Sequence, residues 1–280
     1  MKLAGKNIVV TGAGRGIGRA IAVAAAKEGA RLALLARTSS GLLETRALLG
    51  ENSGHRCHPV DVADIDAVAR VMTAIEEEFG AIDGLVNNAG IQPPLGRFDS
   101  VPLHDWIHNI EVNLIGAAAC THDVIPGMVA RKKGKIVNLS GGGSTSPRPN
   151  FSAYAASKTA VVRFTETIAE ELRGTGVDVN AISPGAVNTR MLDEILEMKE
   201  ASGAEYGQAI RRREKGGDDP ERAAGLAVFL LSDGSDGITG KLLSAVWDPW
   251  NEEGFRALLR SDRDIASLRR IDGKNFIRKP

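Results

Sequence analysis

The amino-acid sequence predicts an α/β fold built on a doubly wound parallel sheet of about seven strands, with helices on both faces. Short apolar runs of strand length alternate with stretches of helical periodicity along most of the chain. The predicted strands are apolar on both faces, which is typical of parallel strands covered on both sides. Because crossovers between parallel strands are right-handed, this alternation places helices on both faces of one sheet.

Seven apolar runs predict the strands, and the stretches between them predict the helices. The strands are residues 7–10, 31–35, 57–60, 84–86, 135–139, 177–182 and, as the weakest of the set, 241–245. The helices are residues 17–28, 40–49, 65–79, 103–130 as one helix or two, 154–173 and 220–231. Gly29 ends the first helix, Asp64 is a suitable N-cap for the third, and Asp219-Pro220 is a typical N-cap and first helical position.

Composition and charge limit the classes of function. The chain has 280 residues with no formal net charge, which argues against nucleic-acid and acidic-membrane binding. It has no signal peptide and no run of about 18 uncharged apolar residues, so no membrane span is expected. Cys57 and Cys120 lack CxxC spacing, which favours free thiols in a cytoplasmic setting. His55 and His58 flank Cys57 without a second ligand pair, so no metal site is predicted.

The segment Thr11 to Gly18, TGAGRGIG, follows the first predicted strand and opens the first helix. In a doubly wound sheet this turn faces the ligand crevice, and a helix N-terminus offers unpaired N–H groups and the positive end of a dipole. Gly12, Gly16 and Gly18 allow a pyrophosphate to lie against bare backbone and allow the helix to pack closely on the strand. The segment therefore predicts a dinucleotide site.

Three further motifs follow in a fixed order along the chain. They are Asn87-Asn88-Ala89-Gly90 after the fourth strand, Tyr154-Ala155-Ala156-Ser157-Lys158 at the start of a helix, and Pro184-Gly185 after the sixth strand with Thr189 beyond. Together with the G-x-x-x-G-x-G spacing, these motifs resemble the short-chain dehydrogenase/reductase (SDR) family of single-domain oxidoreductases. The resemblance covers roughly residues 5–245. It implies a Rossmann-type domain over 1–245, with a substrate lid at about 190–218.

The family resemblance also implies a nicotinamide cofactor and the residues that contact it. These are Gly12, Arg15, Gly16, Ile17, Gly18, Arg37, Asp61, Val62, Asn88, Ala89, Gly90, Tyr154, Lys158, Pro184, Gly185, Val187 and Thr189. No carboxylate stands at the end of the second strand to accept hydrogen bonds from a ribose 2′-OH, whereas Arg15 and Arg37 can grip a 2′-phosphate. We therefore expect NADP(H), with NAD as the second choice. Asp61 also fits a helix-capping role, and both roles are compatible.

Tyr154 and Lys158 stand four residues apart on one helix, so their side chains share a face. A phenol is a poor base at neutral pH, and a neighbouring ammonium favours its ionised form and lowers its pKa. By resemblance, Tyr154 exchanges the proton with the substrate. The same resemblance implies that Lys158 lowers the pKa of Tyr154 and binds the nicotinamide ribose, and that Asn113 holds a water of the proton relay. The expected reaction interconverts a carbonyl and a secondary alcohol by hydride transfer.

The sequence departs from the family pattern at the position of the serine that polarises the substrate carbonyl. Thirteen residues before Tyr154 stands Gly141, within Ser140-Gly141-Gly142-Gly143-Ser144. Ser140 is the favoured substitute, with Ser144 or a backbone N–H left open as alternatives. Arg148, between two prolines, is a candidate to face the substrate. Because the serine is missing, a second function remains possible, namely a catalytically weak sensor or scaffold that binds a dinucleotide.

Two segments fall outside the regular alternation. Residues 190–218 are charged with one aromatic residue, Tyr206, which favours a polar small-molecule substrate. Residues 246–280 extend past the last strand, where Trp247 and Trp250 suggest a packed anchor on this domain or on a neighbouring subunit. Relatives assemble as homotetramers or homodimers through helices equivalent to 103–130 and 154–173. A sugar-nucleotide epimerase is a further alternative, but its G-x-x-G-x-x-G spacing and larger C-terminal domain are not visible.

Overall fold

The computed structural model describes residues 1–50 and 54–270, and its elements follow the predicted alternation. The strands are β1 Asn7–Thr11, β2 Arg31–Ala36, β3 Arg56–Pro59, β4 Gly84–Asn87, β5 Gly134–Leu139, β6 Val177–Ser183 and β7 Leu242–Ser244. The helices are α1 Gly16–Lys27, α2 Ser39–Ala47, α3 Ile65–Phe79, α4 Leu103–Ile110, α5 Gly116–Ala130, α6 Ser152–Glu171, α7 Arg190–Met198, α8 Glu205–Lys215, α9 Pro220–Leu231 and α10 Glu253–Ser261.

All strands pair in parallel in one seven-stranded sheet of order β3-β2-β1-β4-β5-β6-β7. The predicted fold class is therefore confirmed. The chain runs outward from β1 to β3 and then crosses back to β4 on the other side of β1. The crevice at this reversal, outside the carboxyl ends of β1 and β4, is where doubly wound sheets bind ligands.

Apolar side chains cover the sheet on both faces in two separate clusters. Ile8 and Val10 of β1 face the layer of α1 and α9, and Val9 of the same strand faces the layer of α3 and α5. This alternation follows from the two-residue period of a strand. The helices thus hold the sheet rigidly from both sides and fix the position of the loops at its carboxyl edge.

Most boundaries lie within two residues of the predicted ones, and three stretches show what the sequence left open or missed. The stretch 103–130 is α4 and α5 joined by one turn of π-helix, Glu111–Ile115. The segment predicted as a lid, 190–218, contains α7 and α8, although its periodicity in the sequence is weak. β7 is shorter than the predicted run, and its Leu242 N–H donates to the carbonyl of Ala266 in the extension.

Residues 103–130 are long and apolar enough, by length and composition alone, to cross a membrane. The same test is passed by a core helix of a soluble protein. Here α5 packs on α3, and Cys120, Val124 and Met128 are buried in the cluster of that face. The absence of a membrane span stays a prediction.

The extension packs on its own chain over residues 246–270. Trp250 stacks on Phe229 of α9 with ring centroids 6.0 Å apart, and Lys241 Nζ donates to the carbonyls of Asp262 and Ile265. Trp247 is 85% exposed, so the expected anchor consists of one tryptophan rather than two. Residues 271–280 lie outside the described residues, and the domain boundary at 245 stays a prediction.

Candidate active site

A cleft of about 580 Å³ opens at the carboxyl edge of the sheet, where β1, β2 and β4 end. Most of the predicted cofactor residues line it, namely Gly12, Arg15, Gly16, Ile17, Arg37, Asp61, Val62, Asn88, Ala89, Gly90 and Thr189. Gly18, Tyr154, Lys158, Pro184, Gly185 and Val187 do not line this cleft. The structure therefore brings one group of predicted residues into a single groove and leaves a second group beside or beneath it.

The glycines of the β1–α1 turn are needed for close packing as well as for access. A Cβ at Gly18 would lie 2.3 Å from the carbonyl oxygen of Gly12, and one at Gly12 would lie 2.7 Å from Asn88 Nδ2. Gly12 and Gly16 also have φ of +63° and +55°, a region that side chains rarely adopt. The turn therefore packs closely against the loop after β4. Asn88 Nδ2 stabilises this contact by donating to the carbonyl of Thr11 at 2.9 Å.

The N-terminus of α1 faces the cleft without a side-chain cap. Arg15 occupies the N-cap position with extended backbone and forms no capping hydrogen bond. The first N–H groups of the helix lack intrahelical partners, so they remain as donors for an anion at the positive end of the helix dipole. The donor set of the turn therefore fits a phosphate.

Two arginines line the cleft beside the end of β2. Arg15 from the glycine turn and Arg37 after β2 are both exposed and both line the cleft. Within residues 1–50 and 54–270, neither forms a salt bridge. Glu194 of α7 also lines the cleft and interacts electrostatically with Arg15, while burial raises the pKa of the Glu194 carboxyl. The position of Glu194 in the cleft was not predicted, because the weak periodicity of α7 in the sequence does not show which side chains face inward.

Asp61 lies on the wall of the cleft and is not a helix cap. Its Oδ1 accepts a hydrogen bond from the Ala63 N–H at 3.1 Å, whereas Asp64 caps α3 by accepting from the Ala67 N–H at 2.9 Å. The capping alternative for Asp61 is therefore wrong, and the predicted N-cap at Asp64 is confirmed.

Tyr154 and Lys158 lie together beside the cleft, in the first two turns of α6. Their side chains are almost fully buried, with exposures of 6% and 3%. Lys158 Nζ donates to the carbonyl of Leu139 at the end of β5 at 2.8 Å, and it lies 5.8 Å from the Tyr154 ring centroid. Burial lowers the pKa of Lys158 to about 8, because the charged ammonium is removed from water.

The Tyr154 hydroxyl differs from the expectation of a lowered pKa. Burial raises its pKa, Arg148 acts in the opposite direction, and the carboxylate of Glu205 raises it further. The physical cause is the packing of α7 and α8, since Leu192 and Ile195 of α7 and Ala209 of α8 lie with Tyr154 in one apolar cluster. Loss of water therefore outweighs the effect of Arg148 on the Tyr154 pKa.

Asn113 lies in the π-helical turn and is fully engaged by hydrogen bonds. Its Oδ1 accepts from the Ile91 N–H at 2.8 Å, and its Nδ2 donates to Asn109 Oδ1 at 2.8 Å and to Ser157 Oγ at 3.0 Å. A Cβ at Gly90 would lie 3.0 Å from Asn113 Oδ1 and 3.3 Å from Lys158 Nζ, so Gly90 leaves room between them. Sequence analysis missed Asn109 and Ser157, whose spacing carries no distinctive signal.

Gly141, and not Ser140, stands against the Tyr154 hydroxyl. A Cβ at Gly141 would lie 2.4 Å from Tyr154 Oη, whereas the Ser140 hydroxyl donates to the carbonyl of Lys158 at 3.3 Å. Neighbouring residues at a strand end point to opposite sides, and β5 shows no one-residue shift that would bring Ser140 into the serine position. The expected substitution by Ser140 is therefore not supported by this geometry. Ser144 is buried, and its N–H donates to the Gly141 carbonyl at 3.2 Å.

The residues after β6 are held by Asp218, which follows α8. The Ala186 N–H donates to Asp218 Oδ2 at 2.6 Å, and Val187 bridges to Asp218 in parallel. Gly185 has φ of +89°, and a Cβ there would lie 2.6 Å from the same carboxylate. Pro184 is buried and Gly185 is exposed, and neither residue lines the cleft. Contacts of Pro184, Gly185 and Val187 with a cofactor stay predictions.

The histidines and cysteines have local roles. His55 Nδ1 accepts from the Leu32 N–H at 3.1 Å, and burial lowers the pKa of both His55 and His58. Cys57 and Cys120 are free thiols. Within residues 1–50 and 54–270, no three His, Cys, Asp or Glu side chains come together as a metal site.

Comparison with known proteins gives a consistent result. A family model described as short chain dehydrogenase matches residues 6–200. Oxidoreductase UcpA of Salmonella typhimurium is 39% identical over 247 residues, which cover 85% of this chain and 92% of that protein. Levodione reductase superposes with a TM-score of 0.81 at 29% identity, covering 89% of this chain and 98% of its own. NAD+-bound xylitol dehydrogenase superposes with a TM-score of 0.80 at 31% identity, covering 87% and 98%.

The buried Lys158 gives a prediction for stability against pH. Its folded pKa of about 8 lies below the ordinary 10.5, so between these values the unfolded chain holds a proton that the folded chain has released. The free energy of unfolding therefore gains a positive contribution as pH rises above about 8. Lys158→Met lacks this contribution. The stability of the wild type should thus rise relative to Lys158→Met between pH 8 and 9.5, as measured by urea unfolding.

Below pH 8 both states of the wild type hold the proton, and the difference between the two proteins should stay constant. Lys132→Met, on an exposed lysine between α5 and β5, serves as the matched control and should show no such drift. A flat difference across pH 8–9.5 for Lys158→Met would contradict the lowered pKa.

Proposed function

Because the chain belongs to the short-chain dehydrogenase family, whose members are oxidoreductases that act on CH–OH groups with NAD(P), we propose that it interconverts a carbonyl and a secondary alcohol with NADP(H). Tyr154 exchanges the proton in this proposal. The observation that carries it is the burial of the Tyr154 hydroxyl and the Lys158 ammonium together, beside a cleft whose glycine turn fits a dinucleotide phosphate.

The chain's own residues would hold the cofactor along the cleft. The uncapped N-terminus of α1 offers N–H donors to the pyrophosphate, and Asp61 and Val62 lie on the wall next to the end of β2. Gly90 lines the cleft, and a Cβ there would lie 3.3 Å from Lys158 Nζ, so the absence of a side chain at Gly90 favours the approach of a ribose to the ammonium. When bound, the nicotinamide supplies or accepts the hydride.

The preference for NADP(H) over NAD(H) rests on the two arginines at the rim of the cleft. Arg15 and Arg37 are exposed and line the cleft next to the end of β2, and no carboxylate follows that strand to bind a ribose 2′-OH. A guanidinium forms charge-assisted hydrogen bonds with a phosphate and holds its charge at any working pH. Both arginines are thus available to a 2′-phosphate.

Proton exchange depends on the protonation states of the buried pair. At neutral pH Lys158 is an ammonium and Tyr154 a neutral phenol, so the phenol can donate a proton to a developing alkoxide. Among the described residues the Tyr154 hydroxyl has no hydrogen-bond partner, which leaves it for a substrate oxygen. Since Gly141 removes the usual serine, polarisation of the carbonyl falls to this hydroxyl and to nearby backbone N–H groups.

A catalytically weak dinucleotide-binding sensor is the second candidate. Gly141 and the raised pKa of Tyr154 favour it, because both weaken acid–base catalysis. The intact placement of Tyr154, Lys158 and Asn113 favours the enzyme.

Members of this family are commonly oligomeric, and we propose that this chain forms a homodimer or homotetramer. Leu103, Ile107 and Ile115 are exposed on the α4–α5 side. On α6 the extension covers part of the surface, with Arg263 bonded to Glu170 at 2.7 Å. The α4–α5 side is therefore the more open face for a second copy. A cytoplasmic location, consistent with the two free thiols, is also proposed.

Tyr154→Phe tests the proposed reaction. Loss of the hydroxyl removes the proton donor, and general acid catalysis contributes about 10²–10⁴-fold to such reactions. We expect kcat for ketone reduction to fall at least about 100-fold. The rate is measured as NADPH oxidation with a panel of ketones.

The control for Tyr154→Phe is cofactor affinity, followed by quenching of tryptophan fluorescence, which should stay within about twofold because the ring and Lys158 remain. Unchanged turnover would remove Tyr154 from the mechanism. Wild type that binds NADPH but reduces no ketone would favour the sensor.

Arg37→Ala tests the cofactor preference. A hydrogen bond to a charged group contributes about 1.5–3 kcal/mol, so kcat/KM for NADPH should fall about 10–100-fold. The value for NADH should change little, because NADH has no 2′-phosphate. Arg46→Ala, on the exposed end of α2 outside the cleft, is the matched control and should alter neither. Equal losses with both cofactors in Arg37→Ala would exclude the phosphate contact.

A further inference from the structure

Arg148 is a largely buried cation directly beside the catalytic tyrosine. Its guanidinium carbon lies 3.9 Å from the Phe151 ring centroid and 5.3 Å from the Tyr154 ring centroid. Only 15% of the side chain is exposed. With Gln92 in the amide orientation that satisfies both ends, its oxygen accepts from Arg148 Nη2 at 3.1 Å and from Nη1 at 3.3 Å.

The partner of Arg148 is a carboxylate that the lid carries into the site. Arg148 Nε and Nη2 each lie 2.5 Å from an oxygen of Glu205, the first residue of α8. This is the bidentate geometry in which a guanidinium recognises a carboxylate. Arg212, further along α8, also interacts electrostatically with Glu205 and with Arg148.

Helices α7 and α8 limit the space around Tyr154. Leu192, Ile195 and Ala209 pack with the tyrosine in one apolar cluster, so a ketone and a nicotinamide ring bound there would displace these helices. A displacement of α8 would take Glu205 away from Arg148. A guanidinium left buried without a counter-ion is strongly unfavourable, whereas the same guanidinium with a new carboxylate is not.

We propose that Arg148 binds a carboxylate of the substrate, and that Glu205 occupies this carboxylate position while the lid is closed. The inference rests on the proposed function and narrows its substrate class to oxo acids and the corresponding hydroxy acids. The carboxylate takes no part in the redox step and remains unchanged. Hydride reaches the carbonyl carbon, and the Tyr154 proton reaches the carbonyl oxygen. Arg148 is thus a specificity-determining residue, and Gln92 supports its orientation.

The test uses matched pairs of acid and ester on the full-length protein. Pyruvate, acetoacetate and 4-oxopentanoate are each compared with their methyl ester as substrates for NADPH oxidation. The wild type should show a kcat/KM at least tenfold higher for the acid in the pair whose spacing fits. Arg148→Gln should lower this acid-to-ester ratio at least tenfold. Glu205→Gln, which removes the competing carboxylate, should lower the KM of the acid and not that of the ester.

Arg173→Gln is the matched control, because Arg173 forms an exposed ion pair with Glu170 at the far end of α6. Its acid-to-ester ratio should equal that of the wild type. If Arg148→Gln lowers kcat/KM for the acid and for the ester equally, Arg148 only holds α8 in place through Glu205, and the inference is overturned. A wild type that prefers the esters overturns it as well.

Failure of the proposed function is distinguishable from failure of this inference. If the wild type turns over no member of the panel, the reaction is wrong, and binding decides the role of Arg148. Calorimetric titration of the NADP+-loaded protein with the three acids then supports the inference if one of them binds and Arg148→Gln weakens that binding at least tenfold. Absence of binding to the wild type, or equal binding to the variant, overturns it.

Discussion

The burial of the Lys158 ammonium beneath Tyr154 is the interaction on which the rest of the site depends. Among the described residues its hydrogen-bond partner is one backbone carbonyl, that of Leu139, and no carboxylate forms a salt bridge with it. A charge removed from water without a counter-ion is unfavourable, so its placement depends on well-positioned hydrogen-bond acceptors. Several elements meet around the Lys158 ammonium. They are the end of β5, the first turns of α6, the π-helical turn with Asn113, and Gly90, which has no side chain to fill the adjoining space.

Helices α7 and α8 affect both water access and charge at the site. Their apolar side chains remove water from Tyr154, which raises the pKa of the phenol, and Glu205 neutralises Arg148. If these helices open as the proposed lid, both effects are reversed together, because water enters and Arg148 loses its partner. The absence of a side chain at Gly141 then has a second consequence, since the tyrosine hydroxyl occupies the space in which a serine would stand.

Local patterns in the sequence were sufficient for the sheet, the glycine turn and the i, i+4 placement of Tyr154 and Lys158. Apolar runs and helical periodicity indicate which side chains are buried. A spacing of four residues along a helix places two side chains on the same face. The pair Arg148 and Glu205 was out of reach, because the contact joins a proline-flanked loop to a helix with weak periodicity. The acidic residues of α7 in the cleft and the contact of Ser140 with Lys158 also depend on tertiary packing alone.

We propose that this buried phenol and ammonium serve a nicotinamide ring bound in the adjoining cleft. A crystal structure of the protein grown with NADP+ is the sharpest test. We expect the nicotinamide beside the Tyr154 hydroxyl, the ribose on Lys158 Nζ, the 2′-phosphate between Arg15 and Arg37, and α7 displaced from the tyrosine. A nucleotide bound outside the cleft, or a nicotinamide remote from Tyr154 with the lid still packed on that residue, would contradict it.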